Sequence, residues 1–191
     1  MVAGKRDAAI DMLKRAPQRS TGGAAQTGTD IHGLVEKVNR GETLGQVHPD
    51  PAPWMDRYQD FLEEWQPEFV EVESTVWSDN HGYAGTLDGI CRIDGDLCIW
   101  DLKTGKGVYP EVGLQLSAYS NADYILGPDG AQRDIPKVEY GSVLHLRPNK
   151  YELRPVRVDD VFGIFKSLIH VTEWVQEKHK TVLDAPLTKD S

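Results

Sequence analysis

The chain has 191 residues, 39% of them hydrophobic and 27% charged, which suits one globular core, and no apolar run approaches the ~20 residues of a membrane helix. Its formal net charge of −9 and pI near 5.1 exclude a protein-wide basic surface that grips anionic polymers through many contacts. Two cysteines, Cys91 and Cys98, are too few for a disulfide scaffold or a four-cysteine zinc site, and they are expected to be free buried thiols.

In chain order, residues 5–15 have the pattern of a short helix and 17–27 that of a Gly/Ser/Ala-rich connector. No hydrophobic signal region follows Met1-Val2-Ala3-Gly4, so the cytoplasm is the expected location, or a host cytoplasm for a viral gene. A helix carrying His32 comes next, with Glu36 four residues later on the same face. After the proline-rich loop 45–53, Trp54, Met55, Tyr58, Phe61, Leu62 and Trp65 recur at helical spacing and read as a core-facing stripe. Strands are predicted at 69–77, 83–93 and 97–103, a helix at 111–126, a loop at 127–136, strands at 138–146 and 151–157, and a long helix at 159–178. In that last helix Val161, Phe162, Phe165, Leu168, Ile169, Thr172 and Val175 are in register, and the final dozen residues read as a frayed end. Thr104-Gly105-Lys106-Gly107 is no phosphate loop, because Gly-x-x-x-x-Gly-Lys-Ser/Thr is absent and no helix starts directly after it.

The chemistry gathers around one turn. Asp94-Gly95 separates two alternating stretches, a strong signal for a two-residue hairpin. Pairing about that turn opposes residues whose numbers sum to about 189, which sets Asp88 against Asp101 and Cys91 against Cys98. Strand alternation puts Asp101 and Lys103 on one face and Leu102 on the other. Two carboxylates and a lysine then converge, an arrangement able to hold a divalent cation and position a water.

Four segments together resemble a known family. Gly28-Thr29-Asp30-Ile31-His32, Gly85-Thr86-Leu87-Asp88, Asp101-Leu102-Lys103 and Gln115-Leu116-Ser117-Ala118-Tyr119 are similar, in this order, to the motifs of the RecB-like branch of the PD-(D/E)XK nucleases. The resemblance implies a restriction-endonuclease-like α/β fold: one domain over 1–191, with a mixed central sheet flanked by helices, a motif core at about 28–157 and a C-terminal helix at about 159–178. It also implies roles. His32, Asp88, Asp101 and the Leu102 backbone carbonyl would hold Mg²⁺ or Mn²⁺. Lys103 would orient the attacking water, and Gln115 and Tyr119 would contact the lysine, the DNA backbone or both. Glu73 is a further candidate acid, with Glu71 on the same face as its rival, and Glu36 is either a support for His32 or a surface residue. Four cysteines would be needed for the iron–sulfur cluster of some relatives, which rules that cluster out.

The activity so implied is a metal-dependent DNA exonuclease of recombination, repair or phage DNA processing. The alternatives are an endonuclease of the same superfamily, an idle DNA-binding or scaffold module that keeps the fold, and a domain with a purely structural cation. Lys103 speaks against the last, since an ammonium repels a cation. DNA is the expected partner. The acidic balance predicts modest intrinsic affinity, assisted by Lys103, Lys106, Arg147, Lys150, Arg154 and Arg157 gathered on one side, or by a recombination or replication protein or further copies of the chain.

Overall fold

The computed structural model describes residues 22–45, 47–127 and 130–185. Two helices, α1 (Gly22–Asn39) and α2 (Ala52–Trp65), lead into β1 (Glu68–Ser78), β2 (Tyr83–Ile93) and β3 (Asp96–Lys103). Helix α3 (Glu111–Ser120) follows, then β4 (Tyr124–Leu126), β5 (Gln132–Arg133), β6 (Tyr140–Arg147), β7 (Lys150–Val156) and α4 (Phe162–Gln176). The strands form one sheet in the order β5-β4-β1-β2-β3-β6-β7, antiparallel throughout except for β3 and β6. Those two can be parallel because a long connection, α3 followed by β4 and β5 at the other side of the sheet, separates them. The fold is therefore α/β with a mixed sheet.

The hairpin pairs as its sequence predicts. Gly89 opposes Trp100, Cys91 opposes Cys98 and Ile93 opposes Asp96, which extrapolates to Asp88 opposite Asp101. Asp94 and Gly95 have φ of 53° and 92°, the left-handed pair that a two-residue turn needs to match strand twist. The cysteines are buried and free, with their sulfurs 3.7 Å apart.

Each face of the sheet buries one apolar layer. Ile31 and Val35 of α1 and Tyr58 and Phe61 of α2 pack on Ile93, Trp100, Leu102 and Leu144. On the other face, Val112, Leu116 and Tyr119 of α3 pack on Leu87, Ile99, Ile125 and Val143. Alternation along β3 assigns the faces: Trp100 and Leu102 go to the first layer, Ile99 to the second.

Four sequence expectations change, one of them the predicted loop 127–136, which contains the two-residue strand β5 paired with β4. The connector gives way to helix from Gly22 onward, where Ala24, Ala25 and Gln26 favour helix. The predicted helix 111–126 stops at Ser120, and Tyr124–Leu126 is a strand antiparallel to Thr75–Trp77 that buries Ile125 completely. Leu126 falls in helical register with Tyr119, seven residues earlier, so periodicity alone extends the helix too far. In the last helix only part of the predicted stripe, including Phe162, Phe165 and Ile169, packs on the core, while Leu168 and Val175 are exposed. The predicted helix over 5–15 and the end of the chain from 186 lie outside the described residues.

Candidate metal centre

The middle of β1 and β2 and the C-terminal part of β3, beside the middle of α1, collect the titratable groups. One ligand atom each from His32, Glu73 and Asp88 lies within 4.8 Å of the others, a group that could hold a metal ion. The Asp88 Oδ2 accepts the Leu102 backbone N–H at 2.7 Å and lies 3.7 Å from His32 Nδ1. The His32 ring makes a backbone hydrogen bond with Leu102 that favours its protonated form, so the ring donates and the carbonyl accepts. Leu102 thus meets both His32 and Asp88 through its main chain, while its side chain is fixed in the core.

Glu73 reaches the cluster through an unusual backbone. Its φ of 46° departs from strand geometry. Val72 opposes Gly89 and Ser74 opposes Leu87, so Glu73 sits across from Asp88 without joining the ladder. This twist breaks the alternation that would have put Glu71 and Glu73 on one face. Glu71 instead holds Arg133 and accepts a 2.8 Å hydrogen bond from Ser74. Glu36 is ion-paired to Arg40 at 2.9 Å and lines the same cavity as His32, Glu73 and Asp88.

Asp101 belongs to an adjoining network. It is 2% exposed, and Lys103 Nζ lies 2.8 Å from its Oδ1 and 2.7 Å from its Oδ2. Gln115 of α3 donates to Asp101 Oδ1 at 3.2 Å and accepts from Lys103 Nζ at 3.4 Å. Tyr119, one turn on, is buried and accepts from the Gln115 amide nitrogen at 3.3 Å, so it braces Gln115. Gly85 makes room for that ring: a Cβ there would lie 2.4 Å from Tyr119 Cε1. Gly89 does the same for Trp100, with a Cβ falling 2.0 Å from its Nε1 and 2.9 Å from the Glu71 carbonyl.

The electrostatics follow from burying like charges together. Burial, then repulsion from Asp88 and Glu36, pushes Glu73 up to about 7. Burial and the Asp88 charge push Asp101 up to about 6 against the pull of Lys103, and burial raises Asp88 despite its hydrogen bond from Leu102. Burial lowers His32, keeping the ring neutral and available as a ligand. Crowded acids that resist ionisation beside a neutral imidazole form a donor set that a hard divalent cation fits, because the ion supplies the missing positive charge.

Of the sequence-predicted residues, His32 and Asp88 meet in the cluster, and Asp101, Lys103, Gln115 and Tyr119 meet in the network beside it. Glu73 joins the cluster, which sequence alternation left undecided. Among the basic residues, Lys103 pairs with His145 in the β3–β6 register and Arg147 with Lys150 in β6–β7, which puts Lys103, Arg147, Lys150 and Arg154 on one face of the sheet. Arg147 and His145 both bond the Gly105 carbonyl and so tie down the exit from β3.

No family model and no curated protein matches the chain. Among solved structures, one described as the crystal structure of SSO0001 aligns over 93% of this chain and 85% of its own, at 16% identity and a TM-score of 0.40. A likeness at that level carries no functional inference.

Proposed function

We propose that the protein is a divalent-metal-dependent deoxyribonuclease of the RecB-like PD-(D/E)XK type, built on a restriction-endonuclease-like core and acting as an exonuclease in recombination, repair or phage DNA processing. The observation that carries this reading is the meeting of the His32, Glu73 and Asp88 cluster with the Asp101–Lys103 pair across β1, β2 and β3. A bound Mg²⁺ or Mn²⁺ supplies Lewis acidity toward a phosphate oxygen and acidifies water. Glu73, Asp88 and the neutral His32 ring would hold the ion, with Asp101 as a neighbouring carboxylate. Lys103, steadied by Asp101 and Gln115, orients the attacking water and offsets the charge that develops on the phosphate. A purely structural cation site has no use for this ammonium, which would only repel the ion.

Purified protein incubated with linear and with circular DNA in Mg²⁺, Mn²⁺ or EDTA tests the reading. Release of nucleotides from linear DNA alone, dependent on the metal, is expected. Intact linear DNA under every condition would refute it, and cutting of the circle would replace exonuclease by endonuclease.

A further inference from the structure

Helix α4 turns only one side to the sheet. Phe162, Phe165 and Ile169 pack on the core, whereas Ile164, Leu168, Val171, Trp174 and Val175 are 55%, 46%, 57%, 48% and 62% exposed. From Ile164 to Val175 this stripe is about 17 Å long. A contiguous apolar surface of that extent, bounded by charged residues, marks an interface.

Two features identify what covers it. Ile164, Leu168, Val171 and Val175 are spaced four, three and four apart, the seam of a coiled coil, and this spacing reads the same from either end. A second copy laid antiparallel therefore sets Ile164 against Val175 and Leu168 against Val171, each twice, as two-fold symmetry demands. The ends of the helix also carry opposite charge. Asp159 and Asp160 form the turn that enters it, and Lys178, His179 and Lys180 lie in the turn that leaves it. Antiparallel docking brings acid to base at both ends, while parallel docking would bring acid to acid.

We propose that α4 is the contact face of a two-fold homodimer in which the helices of the two copies run antiparallel. The inference rests on the far helix alone and is independent of the nuclease reading.

Sedimentation of the full chain over about 1–100 μM, a range that spans Kd values typical of modest interfaces, is expected to show a species of twice the 21.3 kDa chain mass. The double variant Leu168→Glu/Val171→Glu should sediment as a monomer with an unchanged circular dichroism spectrum. Asp160→Lys should weaken the dimer by roughly tenfold, and Asp160→Lys combined with Lys180→Glu should restore it, because the swap re-pairs opposite charges only in the antiparallel arrangement. A parent chain that stays at 21.3 kDa throughout overturns the proposal. So does a dimer indifferent to the two glutamates, or a charge swap that fails to restore it. A monomeric parent destabilised by the glutamates would show instead that another part of the same chain covers the face, which also overturns it.

Discussion

Glu73 occupies a left-handed backbone conformation that costs a non-glycine residue about 1–2 kcal/mol, and it places a carboxylate where burial and like charge already oppose ionisation. Without metal this side chain should work against the fold. Its ordinary value of 4.5 rises to about 7 in the folded chain, so between those values the native state holds a proton that the unfolded state has lost. Stability without metal should therefore fall as pH rises from about 4.5 to about 7 and level off above, by on the order of 1–2 kcal/mol after solvent screening. Asp88 and Asp101 shift in the same direction and add to the slope. Thermal melts in EDTA across this range check the sign, and Glu73→Gln should flatten the curve and raise the pH 8 melting temperature by roughly 2–4 °C. The same variant should weaken Mn²⁺ binding tenfold or more, read by calorimetry. Lys103→Met separates binding from turnover. It should leave Mn²⁺ affinity equal or tighter and slow DNA cleavage by about 100-fold to 1000-fold. A variant that cuts at the parent rate would remove the lysine from the mechanism.

At the scale of elements, the β2–β3 hairpin was the most legible part of the chain, because turn chemistry and alternation are local and both pointed to one register. That register alone opposes Asp88 to Asp101. Glu73 was illegible for a physical reason: alternation assumes extended φ, and a single left-handed residue in β1 breaks it. Strand β4 was hidden because three apolar residues fit a helical period as well as a strand, and only the neighbouring β1 edge decides between them. The exposure of Leu168 and Val175 in α4 is not legible either, because periodicity reports how apolar a face is and not what lies against it. The close packing behind the hairpin yields a further test. Gly89→Ala drives a methyl into the buried Trp100 ring and the Glu71 carbonyl, neither free to retreat, and should cost about 2–3 kcal/mol, seen as a fall in melting temperature of roughly 4–12 °C. A smaller effect would mean that β2 and β3 separate more easily than their packing indicates.

For the whole molecule, the proposed metal binding would be coupled to folding, because the candidate ligands come from α1, β1 and β2 and meet only in the native state. At 100 times its Kd, Mn²⁺ should add about 2.7 kcal/mol of stability, or roughly 5–10 °C in melting temperature, and EDTA should reverse it. Identical melts with and without the ion would dismiss the site. The hairpin has a consequence in time as well as in space. Asp88 and Asp101 are joined by a short local loop that closes in microseconds, whereas His32 is separated from Asp88 by two intervening elements and must wait for α1 to dock. The acids should therefore meet before the imidazole arrives. Substitutions at the Asp94–Gly95 turn should slow refolding, while His32→Ala should act on the unfolding rate, so that a chevron analysis would date the two halves of the site to opposite sides of the transition state.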